Sequence, residues 1–120
     1  MKKLYIFLII VIVAGCKKSD NQVPTITISS PLDNQSFTAG QKVHVLANVT
    51  DNSEIHMVHL RVEDLTTNQE IIHIEDHVDV ASFNFDTSFI ANAATNYKIE
   101  VEANNHSGND AIKDINIKGL

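Results

Sequence analysis

The stretch Lys42-Val-His-Val-Leu-Ala-Asn-Val-Thr50 decides the fold class, because apolar side chains recur in it at every second position. Successive side chains of a β-strand point to opposite faces, so this period of two predicts a strand with one buried face. The side predicted to be buried comprises Val43, Val45, Ala47 and Val49, and His44, Leu46 and Asn48 lie on the other. The same alternation returns in Val58-His-Leu-Arg-Val-Glu63.

From Val23 onward the chain contains about seven such short segments, separated by turn-forming residues. No segment holds a 3.6-residue apolar repeat through three helical turns, as an amphipathic helix would. Short strands at this spacing are typical of an antiparallel sandwich. The predicted strands lie around residues 25–28, 42–50, 58–63, 70–74, 83–85, 97–103 and 115–117.

Two stretches resemble a known family. Pro24-Thr-Ile-Thr-Ile-Ser-Ser-Pro31 is similar to the opening of bacterial immunoglobulin-like (Ig-like) domains, and Tyr97-Lys-Ile-Glu-Val-Glu-Ala103 to their final hairpin. Ala94-Thr-Asn-Tyr97 resembles the tyrosine corner of immunoglobulin and fibronectin type III sandwiches. The resemblance implies an all-β, antiparallel Ig-like or fibronectin-like β-sandwich over residues 23–120. The antibody-type cysteine pair and core tryptophan are missing.

The N-terminus indicates export. Met1-Lys-Lys3 is followed by an apolar run from Leu4 to Val13 and by small residues that lead into Cys16. This order is typical of a signal peptide. The run would form a helix of roughly 15 Å, too short for a ~30 Å hydrocarbon core. Val13-Ala-Gly-Cys16 resembles the lipobox of bacterial lipoproteins.

The lipobox resemblance implies cleavage before Cys16 and acylation of its thiol and new N-terminus with fatty acids such as palmitate. Residues 1–15 would then be the signal peptide and residues 16–22 the lipidated cysteine and a flexible tether. In Gram-negative lipoproteins an aspartate after the cysteine commonly causes retention in the inner membrane. Lys17 stands there instead, which favours the outer membrane. The lipobox, the single domain and the histidine-bearing middle resemble an uncharacterised family of Ig-like lipoproteins.

Charge and cysteine content exclude several classes of function. Loss of Lys2 and Lys3 on cleavage takes the net charge from −6 to −8, which disfavours nucleic acid and adsorption to anionic lipid. We therefore expect membrane attachment through the acyl chains. The only cysteine is assigned to lipid, so a disulfide, a thiol nucleophile and a cysteine-ligated metal site are all excluded.

The chain contains six histidines, and these are its main functional signal. His73-Ile-Glu-Asp-His77 has the spacing of a helical metal-binding pair. On a strand, however, four residues span about 13 Å. Zinc–nitrogen bonds are about 2 Å long, so His73 and His77 cannot share one ion there.

A nonlocal cluster is more plausible, because three loops of an Ig-like sandwich meet at one end. In this chain they are residues 51–56, 75–79 and 104–110, which also carry Glu54, Asp79 and Asp110. Histidines with carboxylates are ligands for zinc or another divalent ion. The alternative is that these residues are only solvated loop tips. The Asp and Asn residues of the loops could also supply oxygen ligands for calcium, but Asx turns explain them equally well. The candidate metal ligands are His56, His77, His106, Asp51 and Asp76.

A register that pairs Val62 with Ile72 supports this cluster. It places Met57 opposite His77 and His56 opposite Val78. It also places two pairs on the solvent face, where cross-strand charge pairs contribute ~0.2–1 kcal/mol each. These pairs are His59 with Glu75, and Arg61 with His73. They fit either an ordinary polar surface or a pH-sensitive binding face.

Catalytic motifs such as G-x-S-x-G, H-E-x-x-H and phosphate-binding glycine loops do not occur. We therefore expect no enzyme and no cofactor. The leading hypothesis is a lipid-anchored cell-envelope protein whose Ig-like domain is a non-catalytic binding or adhesion module. Its partner would be another envelope protein, a glycan or a host surface. One alternative is a metal-binding envelope lipoprotein of zinc type that acts as a carrier or sensor. A purely structural spacer is the third possibility.

Overall fold

The computed structural model describes residues 22–120, and the described chain is built from β-strands joined by turns. The lipobox, Cys16 and the expected signal peptide lie outside the described residues. No helix in residues 22–120 is long and apolar enough to cross a membrane. The strands are β1 (Thr25–Ser30), β2 (Ser36–Phe37), β3 (Lys42–Asp64), β4 (Gln69–Ile90), β5 (Thr95–Asn105) and β6 (Asp110–Gly119).

Hydrogen bonding links the strands in the order β1-β3-β5-β6-β2, and β4 pairs with β3. All pairs are antiparallel except the short β2–β6 pair. The first half of β3 lies between β1 and the second half of β4. Its second half lies between the first half of β4 and β5. The β3–β4 hairpin therefore crosses from one layer of the sandwich to the other.

The described chain has six strands where about seven were predicted. The segments predicted at 42–50 and 58–63 are the two halves of β3, and those at 70–74 and 83–85 are halves of β4. The chain changes layer without leaving the ladder, because register shifts between Thr50 and Met57 absorb the bend. These two mergers leave five of the predicted strands, and the short β2, which was not predicted, is the sixth.

The core confirms the predicted alternation. The four small apolar residues of Lys42–Thr50 that were predicted to face inward are buried, and so are Val58, Leu60 and Val62. They pack in one cluster with Ile99, Val101 and residues of β6. Burial of this apolar surface stabilises the fold by roughly 25 cal/mol per Å².

The predicted tyrosine corner is present. Tyr97 is buried, and its hydroxyl accepts a 2.8 Å hydrogen bond from the backbone N–H of Asn92, five residues upstream. The ring of Tyr97 also packs on Phe89 at 5.0 Å between centroids. This contact fixes the chain where it enters β5, and β5 leads directly to the turn that carries His106.

Candidate functional site

Three histidines from separate parts of the chain meet at one end of the sandwich. His56 lies at the bend of β3, His77 lies in β4, and His106 lies in the turn after β5. The ring centroids of His56 and His77 are 5.2 Å apart, and those of His56 and His106 are 4.6 Å apart. We call His56, His77 and His106, with Asp79 and Glu54, the histidine end.

Asp79 connects two of these rings. Its Oδ1 lies 2.7 Å from His106 Nε2 and 3.5 Å from His56 Nδ1. Hydrogen bonds from His106 first and His56 second lower the pKa of Asp79 below its ordinary 3.8. Glu54 Oε2 lies 3.8 Å from His106 Nε2. The side chains of His56, His106 and Asp79 are 41%, 47% and 61% exposed, so the cluster is accessible from solvent.

A local irregularity of β4 positions Asp79. The predicted register holds from Val62–Ile72 to Met57–His77, but Ile55 then pairs with Val80. The predicted pairing of His56 with Val78 is wrong, because the register shifts between Ile55 and Met57, the interval in which His56 lies. Asp79 adopts a positive φ of 47°, a conformation that aspartate tolerates better than most residues.

The predicted ligand set is brought together only in part. The three histidines meet, but the Asp51 carboxylate is used in a local Asx-type contact at the bend of β3. Its Oδ1 accepts hydrogen bonds from the backbone N–H and hydroxyl of Ser53, at 2.9 and 2.7 Å. Burial raises the pKa of Asp51, but the Ser53 and Asn105 hydrogen bonds lower it more, so the net shift is downward. Asp76 pairs with Val58 and precedes His77, so their side chains leave opposite faces of the strand.

One scaffold residue was missed by sequence reasoning. The Asn105 side chain is 3% exposed. Its amide donates to the Gln22 carbonyl at 2.9 Å and to Asp51 Oδ2 at 3.1 Å. Its Oδ1 accepts from the backbone N–H groups of Ser107 and Asn109, at 3.1 and 3.0 Å. Asn105 thus ties the start of the domain and the β3 bend to the turn that carries His106.

The solvent face of the second layer carries the predicted charge pairs. His59 lies opposite Glu75, and Arg61 lies opposite His73, as the register predicted. His59 Nε2 is 3.5 Å from Glu75 Oε2, and Arg61 Nη2 is 3.3 Å from Glu102 Oε2. Such half-exposed pairs stabilise a fold weakly.

Among residues 22–120, three ligand atoms suited to a metal converge at the histidine end. One atom each from His56, Asp79 and His106 lie within 4.8 Å of one another. This set contains two of the predicted histidines, and its carboxylate is Asp79 and not Asp51 or Asp76. Asp79 was part of the predicted loop, but only the register shift brings it to the imidazoles.

The strand order and the tyrosine corner are those of an Ig-like β-sandwich. Residues 24–113 match the family model described as bacterial Ig domain, so the chain belongs to the bacterial Ig domain family. No curated protein matches the chain.

A solved structure agrees on the fold. The fibronectin(III)-like modules of Clostridium thermocellum CbhA are 17% identical with a TM-score of 0.51, over 80% of this chain and 46% of that one. The chain thus spans about half the length of that structure. A superoxide reductase (neelaredoxin) from Ignicoccus hospitalis is 14% identical with a TM-score of 0.48, over 80% of this chain and 82% of that one.

Proposed function

We propose that the protein is a lipid-anchored protein of the bacterial cell envelope whose Ig domain is a non-catalytic binding module. The observation that carries this proposal is the histidine end. Three separate segments present solvent-exposed side chains there at fixed mutual distances. Loops held on a rigid sandwich are where Ig-like folds commonly bind.

The buried Asn105 side chain supports a binding role. A polar residue that satisfies both its donors and both its acceptors across three segments rigidifies the surface above it. A surface that is ordered before its ligand arrives loses less conformational entropy on binding. The partner would be an envelope protein, a glycan or a host surface.

Lipid anchoring is proposed from Val13-Ala-Gly-Cys16. Cells fed an alkyne analogue of palmitate should label the wild-type protein, and the label should follow the outer-membrane fraction. Cys16→Ala should lose the label and leave that fraction. A Cys16→Ala protein that stays labelled and membrane-bound would contradict the anchor.

Binding is tested by crosslinking and pull-down from outer membranes with the full chain. The test variant combines His56→Ala, Asp79→Asn and His106→Ala. His44→Ala is the matched control, because His44 is exposed on the first half of β3, where it pairs with Ser88. The proposal predicts a partner that wild type and control recover and the triple variant loses. Equal recovery by all three, or recovery of no partner, would contradict it.

A further inference from the structure

We propose that the histidine end binds one divalent metal ion of zinc type through His56, Asp79 and His106. This inference names the ligand of the surface to which the proposed function assigns binding, and so rests on that proposal. Its basis is a set of donor atoms from the bend of β3, from β4 and from the β5–β6 turn.

The donor atoms are almost at the spacing that an ion requires. Bonds of about 2.0–2.1 Å in a tetrahedral site place neighbouring ligand atoms about 3.4 Å apart. Asp79 Oδ1 is 3.5 Å from His56 Nδ1 and 2.7 Å from His106 Nε2. Every ligand atom of the set lies within 4.8 Å of the other two.

The types of ligand select the kind of metal. Two imidazoles and one carboxylate suit zinc and related first-row ions, which favour nitrogen ligands. Calcium requires six to eight oxygen ligands. The carboxylates of the histidine end are Asp79 and Glu54, and the neighbouring Asp51 already accepts hydrogen bonds from Ser53. The cluster therefore favours zinc over calcium.

The backbone at Asp79 explains how its carboxylate reaches the histidines. Asp79 has a φ of 47°, which aspartate tolerates better than most residues. A β-bulge re-aims a side chain out of the regular ladder. Here the register shift lies beside Asp79, and the carboxylate of Asp79 contacts two histidines.

The site leaves one coordination position open. Three protein ligands around a tetrahedral ion leave the fourth position for water or for a donor from a partner. His77 packs edge-on against His56 at 5.2 Å and restricts the orientation of that ring. Because the ligating side chains are exposed, the open position faces solvent, where a carboxylate or imidazole of a binding partner can reach it.

The test is calorimetric titration of the untagged full chain in detergent with zinc chloride. Wild type and His44→Ala should bind one equivalent with the same affinity. Asp79→Asn and His106→Gln should each weaken binding at least about tenfold, since even changes outside the ligand shell cost about 10–100-fold. Asparagine tolerates positive φ, so Asp79→Asn should keep the fold, which thermal melting checks. Absence of zinc binding, or affinities that both variants leave unchanged, would overturn the inference.

The pull-down separates this inference from the proposed function. A partner that is lost with the triple variant, combined with absence of zinc binding, would overturn the metal site and leave the binding module standing. Zinc binding at the three ligands without recovery of any partner would support the metal site and overturn the binding module.

Discussion

Replacing Asn105 with alanine removes four hydrogen bonds from beneath the histidine end. The amide of Asn105 donates to Gln22 and Asp51, and its oxygen accepts from the backbones of Ser107 and Asn109. A net contribution of about 0.5–1.5 kcal/mol for each bond gives an upper range of about 2–6 kcal/mol. The partners lie in exposed segments and regain water, so we expect a loss of about 2–3 kcal/mol.

The assay is thermal unfolding followed by circular dichroism. For a domain of this size, about 1 kcal/mol corresponds to about 4–8 °C, so Asn105→Ala should lower Tm by about 8–24 °C. The neighbouring Asn104 is the matched control. Its Oδ1 is buried without a hydrogen-bond partner, so Asn104→Ala removes no hydrogen bond of that atom and should not lower Tm. Equal losses of Tm for the two variants would refute the scaffold role of Asn105.

Three further predictions concern other contacts. Tyr97→Phe removes the hydroxyl that accepts from Asn92, and should lower the free energy of unfolding by about 0.5–1.5 kcal/mol in urea titrations; an unchanged midpoint would contradict this. Gly119→Ala would place its Cβ 1.9 Å from the Asn92 carbonyl oxygen, and should cost about 1–3 kcal/mol in the same assay; an unaltered stability would show that the contact yields freely. His106 and His56 lower the native pKa of Asp79, so its stabilising effect is present above about pH 4 and is lost as the pH falls through the native value. Urea titrations across that range should show the advantage of wild type over Asp79→Asn shrinking in acid; an advantage that grows there would contradict the sign.

Much of the fold could be predicted from local patterns. Alternation in Lys42–Thr50 identified a buried face, and a register chosen to keep Val62 and Ile72 on one face correctly paired Met57 with His77. The alternation of apolar side chains restricts the register, because a slip of one residue would turn every apolar side chain of the strand outward. The described chain has six strands and not about seven, because a bend that stays within the ladder has the same sequence signal as a loop.

The candidate site could be predicted only as far as the register held. The convergence of His56 and His106 followed from the loops that an Ig-like sandwich places at one end. The identity of the carboxylate beside these imidazoles could not be predicted. The register shift between Ile55 and Met57 leaves no trace in the alternation of apolar and polar residues. That shift accompanies the contact of Asp79 with the imidazoles, while Asp51 is held in its local Asx-type contact.

The most direct test of the metal centre is a zinc titration followed by the imidazole C–H signals of all six histidines in solution NMR. One equivalent of zinc at neutral pH should shift the signals of His56 and His106. The signals of His44, His59 and His73 should stay in place, because those rings lie outside the three-ligand set. Unmoved His56 and His106 signals, or a shift at His59 and His73 instead, would contradict a metal centre at the histidine end.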